Sequence, residues 1–377
     1  MSLPEINLKD FYCEQPFTSL ELHLDSKAYV CCPTWIKTDV GNFKEEDIGK
    51  LWNSEIAKDI RKTIIDGSYS HCNKDLCPHI QGHLLKKHFE LDGELRDIIG
   101  KKQTEMSSMP RSVMFTFDPS CNLACPSCRS EKLSYTIDSD ELTKTNQVIE
   151  KITLELFRNP LEKVNLNITG SGDPFAALAF RSFLEKIDGS IYPNLRFDFQ
   201  TNGLLLTPRM WERMHKIHKN INSILVSIDA ASKETYAKVR KGGDWNTLIE
   251  NMKFLSQLRF DQKKIIHLQV NFIVQQSNYR EMASFVKMFK EIKVDRIYFS
   301  LISDWGVMSV EIFKKEAIWE SHHPDHNHFL NVLADPIFEF SVLGNVEPFR
   351  KTALLIYSNW SISKRTSSLI FYKIPAN

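Results

Sequence analysis

From residue 111 onward, short apolar runs alternate with stretches whose apolar residues recur at helical spacing. The period of two across residues 113–118 predicts a strand, and residues 139–157 follow with the 3.6-residue period of an amphipathic helix. The alternation then predicts strands at 163–169, 195–200, 223–228, 265–274 and 296–301. Between them it predicts helices at 174–187, 208–218, 233–239, 246–259 and 279–291. Strands separated by helices in this way predict a parallel sheet. No Gly-x-Gly-x-x-Gly opens a helix after any of the strands, which disfavours a dinucleotide fold. The expectation is an α/β fold built as a partial (βα)6 barrel of TIM type, with its chemistry at the C-terminal ends of the strands.

The chain before residue 100 has a different texture. Leu20–Leu24 and Ala28–Val30 read as a hairpin around Asp25-Ser26-Lys27, followed by one helix over 48–65 and a turn at Gly67. The polar stretch Gly100–Met109 reads as a linker, and after Trp305 the periodicity fades into helical fragments and loops. Three segments are therefore expected: a cysteine-rich module over 8–100, the partial barrel over 110–305, and a helical or irregular extension over 306–377.

Charge and composition narrow the function classes. The 377 residues carry 48 Lys and Arg against 47 Asp and Glu, a net +1, so bulk charge points to no nucleic-acid partner. No run approaches the ~18 apolar residues of a membrane helix. Met1–Asp10 carries Glu5, Lys9 and Asp10 where a secretory signal needs an apolar stretch, so a cytoplasmic protein is expected. In a reducing compartment clustered cysteines bind metal or do redox chemistry more often than they form disulfides. There are eight cysteines, none after Cys128, in two groups.

The later group follows the first predicted barrel strand, in Asp118-Pro-Ser-Cys121-Asn-Leu-Ala-Cys125-Pro-Ser-Cys128-Arg129. This spacing puts three thiolates on one tight loop, one fewer than a closed four-cysteine zinc or Fe–S site uses. A cubane held by three cysteines leaves one iron open to a small molecule, as an open position marks a catalytic metal site. A structural zinc with a distant fourth ligand is the alternative on spacing alone.

On these residues the chain resembles the radical S-adenosylmethionine (SAM) superfamily over roughly 111–305. Thr169-Gly170-Ser171-Gly172-Asp173-Pro174 is similar to the family's Gly-Gly-Glu-Pro segment, where backbone approaches the methionine of SAM and a carboxylate takes its ammonium. The acid is here Asp173, one methylene shorter. Thr201-Asn202-Gly203 matches a recurring Thr-Asn-Gly element. Ser227-Ile-Asp229 is similar to the strand end whose Ser and Asp face the cofactor's ribose and carboxylate, and Arg240 stands where relatives place a carboxylate-binding Arg. The position before the third cysteine, usually aromatic, is Ser127, with Arg129 able to stack on a purine instead. The resemblance implies a [4Fe-4S] cluster bound with exchangeable SAM. It also implies an oxygen-sensitive reaction in which an electron cleaves SAM to methionine and a 5′-deoxyadenosyl radical, which removes a hydrogen atom from substrate.

The earlier group comprises Cys13, the pair Cys31-Cys32, Cys72 and Cys77. With Cys-Cys-Pro33, Gly41-Asn42 and Leu51-Trp52-Asn53 in that order, it resembles the SPASM/twitch module, which implies a second, auxiliary [4Fe-4S] cluster. In most relatives that module follows the barrel, whereas here it precedes it. Either Cys31 or Cys32 would be the fourth ligand; the register of Ala28-Tyr29-Val30 against relatives favours Cys31, and adjacent strand residues face opposite ways. A zinc ribbon uses similar spacing and stays open. The resemblance further implies an electron donor such as flavodoxin or ferredoxin. SPASM-type modules are associated with peptide or protein modification and with some saccharide chemistry, so such a substrate is expected by analogy. A non-catalytic zinc- or Fe–S-binding structural protein is the rival reading. The stretch His322-His-Pro-Asp-His-Asn-His328 reads as a turn with exposed histidines, since no fixed period gathers the rings.

Overall fold

In the computed structural model of the chain, residues 7–75, 77–169, 171–304 and 306–356 are described; Gly170, Trp305 and 357–377 of the expected extension lie outside them. Its strands are β1 (Phe11–Tyr12), β2 (Ser19–Leu22), β3 (Lys27–Tyr29), β4 (Gly41–Asn42), β5 (Lys86–Lys87) and β6 (Ser112–Phe115). They continue with β7 (Val164–Ile168), β8 (Leu195–Thr201), β9 (Ile221–Ser227), β10 (His267–Val274) and β11 (Arg296–Leu301). The chain divides into two compact units. The first comprises 1–121, 133–201 and 209–224; the second comprises 122–132, 202–208 and 225–377. Strand β9 gives Ile221–Ile224 to the first and Leu225–Ser227 to the second.

Within the first unit the sheet runs β4-β3-β2-β6-β7-β8, with β9 next to β8. Strands β2, β6, β7 and β8 pair in parallel, while the β2–β3–β4 meander is antiparallel. Alternation in β7 buries Val164, Leu166 and Ile168. The helix Asp140–Leu156 buries Leu142, Val148, Ile149 and Ile152, and starts where the Ser139 hydroxyl accepts from the Leu142 N–H at 3.2 Å. The hairpin of the cysteine-rich segment continues this sheet. Ser19 to Leu22 pair with Ser112 to Phe115, and the Thr116 N–H and hydroxyl both donate to the Leu22 carbonyl at 2.9 Å.

Two sequence expectations change here. The single helix expected over 48–65 is two, Ile48–Trp52 and Glu55–Ile65, because the Ser54 hydroxyl accepts from the Ala57 N–H at 3.2 Å and starts a second helix. The stretch read as a linker is held in place. Trp52 Nε1 donates to the Ser108 carbonyl at 3.0 Å, Asn53 Nδ2 to that of Met106 at 2.8 Å, and Arg61 to that of Thr104 at 2.9 Å. Its polar side chains at Lys101, Lys102 and Glu105 are exposed, while its backbone carbonyls are bonded by side chains of the module.

In the second unit β10 and β11 pair in parallel from Gln269↔Arg296 to Val274↔Leu301. Phe272, Phe285 and Phe299 meet with ring centroids 4.9–5.9 Å apart and, with Val286 and Phe289 of the helix Met282–Ile292, form its core. Beyond β11 the described residues form short helices such as Val310–Glu316 and His326–Leu333 joined by loops, as expected, and Val342 exchanges backbone hydrogen bonds with Ile297 and Phe299 at 2.9 and 2.8 Å. Of the four histidines in the stretch His322–His328, three have different hydrogen-bond partners, and His322 is exposed. His323 bonds the Lys315 carbonyl, His326 that of Ile318, and His328 the Tyr279 hydroxyl. The strand and helix alternation of a partial (βα)6 barrel is thus present, and among the described residues no helix is long and apolar enough to cross a membrane.

Candidate metal and cofactor centres

In the first unit, β6 runs into Asp118, whose Oδ1 accepts from the Ser120 N–H at 2.9 Å and so turns the chain toward Cys121. The Cys121 N–H donates to the Leu133 carbonyl at 2.7 Å, closing the loop on itself. The segment after β7 lies against this turn. The Asp173 N–H donates to the Ser120 carbonyl at 2.8 Å, and a Cβ at Gly172 would come within 2.7 Å of the Asp118 carbonyl and nearer still to that of Ser120. Only glycine fits such an approach.

Asp173 is 2% exposed. Its Oδ1 accepts from the Phe175 N–H at 3.0 Å and its Oδ2 from the Thr201 hydroxyl at 2.7 Å. Sequence reasoning passed over Asp118, whose Oδ2 is buried with no hydrogen-bond partner among the described residues. Burial pushes its carboxyl above the usual range. Its position at the end of a strand, where barrels carry chemistry, was the available signal.

The second unit holds Cys125, buried, and Cys128, exposed. The Cys128 and Arg129 N–H groups donate to the Cys125 carbonyl at 2.8 and 2.9 Å, and the Ala124 N–H reaches the Lys241 carbonyl at 3.0 Å, which stitches this loop to the residues after Arg240. Asn202 Nδ2 donates to Asn122 Oδ1 at 2.8 Å, and Gly203 takes φ 80°, the left-handed value that turns the chain after β8. Ser227, half-buried, ends β9. Asp229 adopts φ 64°, and its carboxylate meets Arg240 at 2.6 Å; Arg240 also donates to Cys125 Sγ at 3.8 Å. Burial works against the charge of Arg240, but Asp229 and Cys125 hold it above its ordinary value. Burial pushes the Cys125 thiol up, opposed by Arg240.

The earlier cysteines belong to the first unit. Cys13, Cys31, Cys72 and Cys77 line one small enclosed cavity with Tyr69 and His79, whereas Cys32 is not among its lining residues. Cys31 lies just past β3, and a turn starts at Cys32, whose carbonyl accepts from the Trp35 and Ile36 N–H groups at 2.9 and 3.0 Å. Tyr69, 1% exposed, closes the cavity by donating to the Phe11 carbonyl at 2.7 Å. Arg61 donates to the Pro16 carbonyl at 2.8 Å and to that of Trp52 at 2.7 Å, while its guanidinium stacks on the Trp52 ring. Burial pushes the Cys13 and Cys72 thiols up to about 12 each. Among the described residues no three His, Cys, Asp or Glu side chains are gathered at a single metal ion. Four thiols lining one cavity are donors of the type that an Fe–S cluster takes, and iron would supply the positive charge that thiolates need there.

Topology fixes where this cavity lies. Cys13 and Pro16 precede β2, and Cys31 follows its antiparallel partner β3, so the cavity sits level with Ser19 and Ser112, where β6 begins. Cys121 follows the opposite end of β6.

The radical SAM superfamily model matches residues 116–276, and the SPASM iron–sulfur cluster-binding domain model matches residues 13–81. No curated protein sequence matches the chain. Among solved structures, Streptococcus suis SuiB bound to precursor peptide SuiA is 15% identical, with a TM-score of 0.41 over 81% of this chain and 65% of that one. The same protein bound to S-adenosylmethionine is 14% identical over 66% of this chain and 56% of that one, with a TM-score of 0.39. Native anSMEcpe with bound AdoMet is 22% identical, with a TM-score of 0.36 over 51% of each chain. This chain therefore spans less than two thirds of the length of each of these three structures. The region matched by the radical SAM model implies a [4Fe-4S] cluster with SAM, and the region matched by the SPASM model, N-terminal to it, implies further Fe–S binding.

Proposed function

We propose that the chain is an enzyme that cleaves SAM reductively and abstracts a hydrogen atom from a peptide, protein or saccharide. The carrying observation is the Cys121, Cys125 and Cys128 spacing at the end of the first barrel strand, inside the radical SAM domain. Those three cysteines would hold the SAM cluster. When bound and reduced, the cluster would supply one electron to the sulfonium of SAM, whose sulfur–carbon cleavage would give methionine and a 5′-deoxyadenosyl radical. The chain's own residues do the rest. Asp173, fixed by Thr201 and the Phe175 N–H, offers a carboxylate for the methionyl ammonium, and Gly172 permits close backbone approach. Gly170, Asn202, Ser227, Asp229 and Arg240 complete the proposed cofactor contacts. Cys13, Cys31, Cys72 and Cys77 are the proposed ligands of the auxiliary cluster, supported by their shared cavity. The SPASM domain supports a peptide, protein or saccharide substrate, and flavodoxin or ferredoxin is the proposed electron source.

Metal content separates this from a structural zinc protein. Anaerobically reconstituted chain should be brown with ~8 Fe per chain, two cubanes' worth. A colourless protein that retains stoichiometric zinc and takes up no iron would contradict the proposal.

A further inference from the structure

Asp229 holds a backbone conformation that a non-glycine residue rarely adopts, φ 64°. It is over-determined: the Ile273 N–H donates to its Oδ1 at 2.8 Å, Asn278 Nδ2 donates to its carbonyl at 2.9 Å, and Arg240 meets its Oδ2 at 2.6 Å. Strain maintained by three partners is a sign that the side chain has to point one way. What it points at is Arg240, whose other terminal nitrogen donates to Cys125 Sγ at 3.8 Å, while Nε is buried with no partner among the described residues. Tyr236, whose buried hydroxyl has no partner among the described residues either, completes the wall. A buried ion pair contributes little to stability by itself. One that spends a guanidinium on a sulfur has another use.

We propose that Arg240, positioned by Asp229, sets the charge at the Cys125 corner of the SAM cluster and raises that cluster's reduction potential. The proposal rests on the reading of Cys125 as a ligand of that cluster. Hydrogen bonds to ligand sulfur and nearby positive charge stabilise the reduced, more negative form of an Fe–S cluster, and they act strongly where water is excluded. Asp229 is then a positioning residue. It holds the fork so that one arm faces the carboxylate and the other the thiolate, an arrangement a single ammonium cannot reproduce.

The test is an EPR-monitored redox titration of the full reconstituted chain, with the auxiliary cluster as internal reference. The SAM cluster is identified as the signal that changes on adding SAM and disappears in Cys125→Ala. A signal that fails both criteria would sink the ligand reading itself. Given that signal, Arg240→Gln should move its midpoint to more negative potential while the auxiliary midpoint stays put. Arg240→Lys should move it the same way by less. Should Arg240→Gln lose the iron of that cluster, the Lys variant carries the test alone. An unchanged midpoint in the variants that keep the cluster, or an equal movement of both clusters, overturns the proposal and leaves the ion pair a structural tie.

Discussion

The Gly172 backbone lies against the carbonyl of Ser120, and the next residue, Asp173, donates its N–H to that same carbonyl at 2.8 Å. The loop that carries Cys121 and the segment that carries the proposed ammonium contact are thus joined through one oxygen. Adding a methyl at Gly172 has nowhere to go, because the obstructing atoms are backbone. Gly172→Ala should therefore destabilise the fold by about 2 kcal/mol, the usual cost of overpacking, and lower the iron retained after reconstitution. Urea denaturation and iron analysis check this, and a variant of wild-type stability would show that the approach relaxes freely.

Asp173 allows charge to be separated from hydrogen bonding. Asp173→Asn keeps an acceptor oxygen for the Phe175 N–H, turns an amide N–H toward the Thr201 hydroxyl, which can accept it, and loses the charge; Asp173→Ala loses both the charge and the hydrogen bonds. If the carboxylate also takes the ammonium of SAM, both variants bind SAM more weakly, Ala by about 1.5–3 kcal/mol. Equilibrium SAM binding to the reconstituted chain decides it. Unchanged affinity in Asn with reduced stability in Ala would mean that the carboxylate serves the fold alone.

The paired cysteines make a cleaner contrast. In a background lacking Cys121, Cys125 and Cys128, Cys31→Ala should abolish the remaining iron and sulfide, since Cys31 lines the cavity with Cys13, Cys72 and Cys77. Cys32→Ala should leave them in place. The opposite pattern would reverse the ligand assignment.

Arg61 links the module to residue 104 and to the cavity wall at Pro16 through carbonyl oxygens, and among the described residues no carboxylate pairs with it. Burial pulls its guanidinium down to about 10, still charged at neutral pH. Arg61→Ala would orphan those carbonyls and should cost about 3 kcal/mol. Thermal denaturation of the apo-protein measures this without any cluster, and a loss under 1 kcal/mol would mean that water replaces the guanidinium.

The barrel elements were legible in the sequence because their signals are local. Alternation marks β7, and Ser139 ahead of an apolar 3.6 period marks the helix after β6. The joining of β2 to β6 was not legible, since it pairs Ser19 with Ser112 across 93 residues and parallel neighbours leave no turn signature. Residues 104–108 misread as a linker for a related reason: their carbonyls are satisfied by Trp52, Asn53 and Arg61, which only the tertiary fold brings near. At the candidate site, cysteine spacing marked the two groups of thiols. The mutual engagement of Asp229, Arg240 and Cys125 depends on one positive φ value and had no counterpart in residue order.

The central claim is that Cys121, Cys125 and Cys128 together hold the cluster at which SAM is cleaved. Its most direct measurement is 5′-deoxyadenosine formed under anaerobic conditions with SAM and a chemical reductant, by the reconstituted chain and by the variant in which all three are alanine. The reconstituted chain should form it, and the triple variant, still holding its auxiliary iron, should form none above the reductant blank. Equal formation by the two would contradict the account.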